Sequence, residues 1–108
     1  MKNYIDKITR VSINFLVRKN TDLNNDQYDV RWLNYTPNAI INKSDNDSKI
    51  SLKLRGDNII RRLDAKDDTE VKASSIRLAF KDKDNYFTKQ IQLNDLLINK
   101  ETNKLISF

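Results

Sequence analysis

The stretch that decides the fold is RVSINFLVR, residues 10–18. Val11, Ile13, Phe15 and Val17 alternate with polar residues in this stretch, and one further apolar residue interrupts the pattern. Because successive side chains of a β-strand point to opposite faces of a sheet, the alternation predicts a strand with one apolar and one polar face. Such a strand needs a second layer of structure to cover its apolar face.

The same alternation recurs in the stretch VKASSIRLAF, residues 71–80, where the apolar positions change from odd to even numbers. This change of phase indicates a β-bulge at Ser74 and Ser75. The polar residues from Lys81 to Asn85 then predict a hairpin turn into a return strand. Two long paired strands are therefore expected in the second half of the chain.

Shorter alternating segments predict further strands over residues 28–32, 50–54 and 104–108, and polar residues 21–27 and 42–48 predict turns or loops. Pro37 limits the strand over residues 28–32 or places it at a sheet edge. Trp32 shares the apolar face of Tyr28 and Val30, so we expect it in the core.

Two segments leave room for a helix. Residues 55–63 fit either a hairpin with Gly56 at a positive φ or a single helical turn, and we favour the hairpin. Asn94 and Asp95 are good N-cap residues, so they predict a short helix near residues 94–99.

The composition supports a chain of short strands joined by polar turns. It contains 14 Asn and 13 Asp but only 4 Ala, 2 Glu, one Gly and one Pro, so Asn and Asp must supply most turns. We predict a single domain, residues 1–108, of the all-β class. Its expected form is a small, mainly antiparallel β-sandwich or partly open barrel of six to eight strands.

The absence of Cys and His excludes thiolate and imidazole chemistry, so we expect a protein that is not an enzyme and that uses no cofactor or metal. Residues 22–26 begin like a calcium loop, but Gln27 stands where the loop needs glycine. Asp82 and Asp84 fit a hairpin turn better than a metal site. Glu70 and Lys72 loosely resemble a metal-dependent nuclease motif, which we keep as a minor alternative.

The arginines are the strongest functional signal. A net charge of +5 comes from 20 Lys and Arg against 15 Asp and Glu. Arginine binds phosphate through a planar fork and stacks on bases, and exposed aromatic rings provide further stacking surfaces. The candidate binding residues are therefore Arg10, Arg18, Arg31, Arg55, Arg61, Arg62, Arg77, Tyr35 and Tyr86.

Alternation places Arg10, Arg18, Arg31 and Arg77 on the solvent faces of strands, which predicts a non-catalytic module that binds single-stranded DNA or RNA. Equally compatible is a mixed-charge surface in which Arg31 or Arg77 pairs with acids across strands.

The alternative function is a protein-interaction module that recognises an acidic protein surface. A small phage- or mobile-element-type protein that inhibits a host enzyme, or an assembly component, would fit this class. The chain lacks an apolar run of signal-peptide or transmembrane type, so we expect a cytoplasmic protein that does not bind membranes.

Overall fold

The computed structural model describes residues 7–19, 27–42 and 50–107. Seven strands lie in these segments: β1 (Ile8–Lys19), β2 (Asp29–Tyr35), β3 (Ile40–Asn42), β4 (Ile50–Arg55), β5 (Thr69–Asp82), β6 (Asn85–Ile98) and β7 (Asn103–Ser107). One α-helix, α1 (Gly56–Leu63), follows β4, and a 3-10 helix (Pro37–Ala39) follows β2. The all-β prediction is confirmed.

The strands form two antiparallel sheets. The larger sheet has the order β2-β1-β5-β6 and the smaller has the order β3-β4-β7. Buried residues of both sheets and of α1 form one hydrophobic core, for example Phe15, Ile76, Leu52, Leu54 and Ile59. The second layer that the alternation in β1 requires is thus supplied by the smaller sheet together with the helix.

The long strands match their sequence patterns. Val11, Ile13 and Phe15 are fully buried, as the alternation predicts. The predicted bulge is present, because Asn14 pairs with Ser75 while Phe15 pairs with Ala73. The predicted hairpin joins β5 to β6.

The segment over residues 55–63 is a helix and not the hairpin that we favoured. Ile59 and Leu63, four residues apart, are buried on one face of α1. Asp57 in the first turn and the basic residues in the last turn both suit the helix dipole. Asp64 ends the helix in the left-handed conformation.

Gly56 does not have the positive φ that we expected. Its backbone N–H donates to the Thr102 carbonyl oxygen at 2.8 Å, so this residue lies tightly against the turn before β7. A β-carbon on Gly56 would lie 1.7 Å from the carbonyl oxygen of Asn99. Lack of space, rather than backbone conformation, explains the glycine.

The helix predicted near residues 94–99 is wrong, because β6 continues to Ile98. Asn94 and Asp95 have φ angles of 55° and 52°. They form a register break in β6 opposite the bulge of β5, after which Leu96 again pairs with Ala73. Both residue types tolerate the left-handed conformation, which suits a bulge as well as a helix cap.

Strand β2 faces the opposite way from our expectation. Leu33 packs in the core, whereas Trp32 pairs with Asn14 on the other side of the sheet and is 39% exposed. The prediction of Trp32 as a core residue is therefore wrong. Arg31, expected on the solvent face, pairs with Phe15 on the core side and donates to the Leu63 carbonyl oxygen at 2.9 Å.

Candidate nucleic-acid interface

The larger sheet presents one face to the core and the opposite one to solvent. We call the second the outer face, and it is defined by the strand positions that alternate with the buried residues. These are Arg10, Ser12, Asn14, Leu16 and Arg18 of β1; Val30, Trp32 and Asn34 of β2; Glu70, Lys72, Ser75, Arg77, Ala79 and Lys81 of β5; and Tyr86, Thr88, Gln90, Gln92 and Leu97 of β6.

The strand register arranges these residues in rows across the sheet. One row contains Trp32, Asn14, Ser75 and Gln92. The next row contains Asn34, Ser12, Arg77 and Gln90, and the row after it contains Arg10, Ala79 and Thr88. Arg10, Trp32 and Arg77 therefore come from three different strands and lie within neighbouring rows.

The outer face is strongly basic. Its strand positions carry five cationic side chains, those of Arg10, Arg18, Lys72, Arg77 and Lys81, and Glu70 is the one acidic residue among them. The acids and bases of the whole chain are much more evenly matched. The fold therefore concentrates positive charge on this surface, which raises the local electrostatic potential for a polyanion.

Arg77 and Trp32 form a cation–π pair at the centre of the outer face. The guanidinium carbon of Arg77 lies 4.7 Å from the centroid of the Trp32 ring. Since β1 separates the strands that carry these residues, the pair passes over β1. The small side chains of Ser12 and Asn14 on β1 leave space for this contact.

Neither Arg10 nor Arg77 contacts a carboxylate within the described residues. The cross-strand acid partner that we considered for Arg77 is not present there, and Arg31 uses a backbone carbonyl instead. Among the residues that the structure describes, the guanidinium donors of Arg10 and Arg77 are therefore free of carboxylates. Exposed guanidinium groups of this kind can bind phosphate in a bidentate manner.

A second group of charges surrounds Glu70 at one end of the outer face. Its carboxylate accepts hydrogen bonds from Arg18 at 2.9 Å and from the Tyr28 hydroxyl at 3.1 Å, and Lys72 lies 3.2 Å away. The Arg18 guanidinium also stacks on the Tyr28 ring at 4.7 Å. Arg18 and Lys72 therefore serve this cluster, unlike Arg10 and Arg77.

The contacts within the Glu70 cluster shift the pKa values of Glu70 and Lys72. Desolvation favours the neutral acid, but the hydrogen bonds from Arg18, Lys72 and Tyr28 outweigh it and hold the pKa of Glu70 below its ordinary value. Interactions with Tyr28 and Glu70 raise the pKa of Lys72. The cluster is charged at neutral pH, and its geometry is that of an ion-pair network.

The nuclease-like pattern of Glu70 and Lys72 finds no support in this geometry, since Glu70 is occupied by cationic and hydroxyl donors. In the segments that the structure covers, no three metal-ligating side chains come together. The calcium-like pattern at residues 22–26 lies outside the described residues. Asp82 ends β5 and Asp84 lies in the β5–β6 turn, as the hairpin prediction expects.

Tyr86 occupies the far end of the outer face, next to the β5–β6 turn. It is 73% exposed, and the Lys81 ammonium lies 5.5 Å from its ring centroid. Tyr86 and Trp32 are thus two exposed aromatic rings on the same face, each with a cation against it. This combination of flat rings and cations suits the stacking of bases and the binding of phosphates.

The outer face contains a depression of about 380 Å³ beside the Arg77–Trp32 pair. Arg10, Asn34 and Thr88 complete its rim, together with the small residues Ser12 and Ala79 of the central strands. Its size is within the range of small-ligand sites, roughly 300–1,000 Å³.

The fold brings only part of the predicted set together: Arg10, Arg18, Arg77 and Tyr86 share the outer face, and the others lie elsewhere. Arg55 ends β4 in the smaller sheet, and Arg61 is exposed on α1. Arg62 stacks on Tyr35 at 4.8 Å and donates to the Asn34 carbonyl oxygen at 2.7 Å. Desolvation by burial raises the pKa of Tyr35 despite the nearby Arg62.

Trp32 and Lys81 are the residues of the face that sequence reasoning missed. Trp32 alternates with Leu33, so two opposite faces of β2 each offer an apolar residue, and the sequence alone does not distinguish them. Lys81 falls in the predicted turn, although its alternation with Phe80 is a signal that the strand continues.

Comparisons of the chain with protein-family models, curated proteins and solved structures gave no match. The helices in the described segments are too short and too polar to cross a membrane.

Proposed function

We propose that the protein is a non-catalytic module that binds single-stranded nucleic acid on its outer face. Arg10 and Arg77 bind phosphates, and Lys81 extends the cationic path towards the β5–β6 turn. Trp32 and Tyr86 provide rings on which bases stack. Single strands suit this surface better than duplex, because stacking on Trp32 and Tyr86 requires bases that are not paired within a helix.

A single observation carries the proposal: two arginines without a carboxylate partner among the described residues lie beside an exposed tryptophan. If these arginines served only to stabilise the sheet, we would expect them to pair with acids, as Arg18 does with Glu70. The concentration of cations on one face provides the electrostatic attraction that nucleic-acid binding requires.

The test is a titration of fluorescein-labelled single-stranded DNA, single-stranded RNA and duplex, followed by fluorescence anisotropy over a salt series. The Arg10→Ala/Arg77→Ala variant should bind all single strands more weakly. With oligothymidine as the strand, the slope of log affinity against log salt should fall by about 1.4, because each lost phosphate contact contributes roughly 0.7 for single strands.

The matched control is Arg55→Ala/Arg61→Ala, which removes the same charge from exposed positions away from the outer face. It should keep the wild-type salt slope. Equal losses in the two double variants would show attraction by net charge alone and would contradict a specific surface. Absence of binding by the wild type at low salt would overturn the proposal.

A protein partner is the second candidate, and a row of apolar side chains favours it. Val30, Leu16 and Leu97 lie in one row with Lys72, and Val30 and Leu97 are 58% and 56% exposed. Exposed apolar residues next to cations are typical of protein interfaces. If this candidate holds, the arginine changes weaken a protein complex while oligonucleotide binding stays unmeasurable even in the wild type.

A further inference from the structure

The depression beside Trp32 has features that nucleic-acid binding in general does not require. It lies where small residues of the central strands, Ser12 and Ala79, are surrounded by the large side chains of Trp32, Arg77 and Arg10. A flat ligand that entered would have an aromatic plane on one side and guanidinium groups around its edge. These are the contacts that a single nucleobase makes with proteins.

The lining of the depression is rich in hydrogen-bond donors. The Ser12 hydroxyl donates to Oδ1 of Asn34 at 2.9 Å, which fixes the amide and leaves its NH₂ group as the free end. Arg10 and Arg77 are donors only. Because no carboxylate among the described residues lines the depression, a ligand that brings acceptors matches this lining.

We propose that this depression binds one guanine base of the bound strand, an inference that rests on the proposed function. Guanine presents two adjacent acceptors, O6 and N7, which match the fork of an arginine. Adenine has an amino donor at the position of O6 and would place it against the donors of Arg77 and Asn34. The chemistry of the lining therefore selects against adenine.

The Arg77–Trp32 contact provides a way for the base to enter. Arg77 is exposed, and in the described part of the chain its guanidinium contacts the Trp32 ring but no carboxylate, so it can leave the ring without breaking an ion pair. Where the strand presents a guanine, the base then stacks on Trp32 in place of the guanidinium, and Arg77 exchanges its phosphate contact for O6 and N7. Arg10 remains in position for the adjacent phosphate.

The first experiment uses the fluorescence of Trp32, the chain's single tryptophan. An oligonucleotide with a central guanine should quench its emission because the base stacks on the indole ring. Heparin, a polyanion without bases, should bind through the same cations with little quenching. Equal effects of the two ligands on the emission would contradict base stacking at Trp32.

The second experiment measures affinity for a constant oligothymidine sequence with a central guanine, adenine or abasic position. We expect the guanine strand to bind at least about fivefold more tightly than either of the others, given the usual discrimination by a bidentate contact. Equal affinity for guanine and adenine would overturn this inference while leaving the proposed function intact. No binding of any strand would overturn both.

Asn34→Asp tests the donor argument, since it keeps an oxygen for Ser12 and removes the NH₂ group. The preference for guanine should fall to less than about twofold. The control is Asn85→Asp, the same change from amide to acid at an exposed position at the start of β6, outside the depression and away from Arg77. It should weaken all strands equally and keep the preference. Loss of the preference in both variants would attribute it to charge and contradict the donor role of Asn34.

Discussion

At the scale of single residues, the surroundings of Gly56 and Glu70 restrict which substitutions these two positions can tolerate. Gly56 has no room for a β-carbon, and Glu70 holds three donors from two strands and a neighbouring segment. The sequence drew attention to Gly56 as a turn residue and to Glu70 as part of a nuclease-like pattern. Their actual roles depend on Asn99 and Arg18, which are more than 40 residues away along the chain.

Gly56→Ala should destabilise the protein by about 3 kcal/mol, because the new methyl group would overlap the Asn99 carbonyl and force the turn before β7 away from α1. Urea denaturation followed by circular dichroism measures this change. Asp57→Ala, one residue further along the same helix, is the control and should cost less than about 1 kcal/mol. Similar losses in both would indicate a helix effect instead of a steric one.

The Glu70 network should make stability depend on pH in the acid range. The pKa of Glu70 in the folded state lies below its ordinary value of 4.5, so its contribution is present above that value and is lost as the pH falls through the folded pKa. Glu70→Gln should therefore lower the free energy of unfolding at pH 7 by about 1 kcal/mol, a typical ion-pair contribution.

At pH 3 and below, the difference in stability between wild type and Glu70→Gln should narrow. Thermal unfolding at several pH values provides the measurement. Glu101→Gln is the control, because the Glu101 side chain is exposed and makes no ion pair in the described residues. A difference that stays constant from pH 7 to pH 3 would show that the charge of Glu70 does not stabilise the fold.

At the scale of elements, the long strands and the short strands β4 and β7 were predictable, whereas β3, the helix α1 and the orientation of β2 were not. The phase change within residues 71–80 predicted the bulge at Ser74, because only a bulge keeps both halves of β5 facing the core. In β2 each face offered apolar residues, so its orientation depends on its register with β1. The local cap signals at Asn94 were outweighed by the pairing of β6 with β5 over residues 96–98.

The register break in β6 leads to a prediction about Asn94. Its positive φ is strained for most residues but not for glycine, so Asn94→Gly should leave stability unchanged or raise it slightly. Asn94→Val should destabilise by about 1–3 kcal/mol, because a β-branched residue is poorly suited to the left-handed region. Equilibrium unfolding measures both changes.

Thr88→Val provides the matched control, since Thr88 lies in the regular part of the same strand and β-branched residues are favoured there. It should have little effect. If Asn94→Val were as well tolerated as Thr88→Val, then position 94 would not need the left-handed conformation.

At the scale of the whole molecule, the candidate surface depends on contacts that no local pattern contains. Arg10 and Arg77 are 67 positions apart in the chain, and the β1–β5 register brings them into neighbouring rows. Alternation did predict that both would point to solvent. Predicting that both share a face with Trp32 requires the strand order. The strand order is also needed to predict that Arg31 and Arg62 contact backbone carbonyls instead.

The open side of β6 has a consequence for how copies of the molecule meet. Within the described segments β6 has a neighbouring strand on one side only, and an unpaired edge can recruit a strand from another molecule and start aggregation. The break at Asn94 and Asp95 twists this edge out of line. An incoming strand could therefore pair with β6 in regular register only over residues 85–92. The break at Asn94 and Asp95, which matches the bulge of β5, thus also discourages self-assembly into extended sheets.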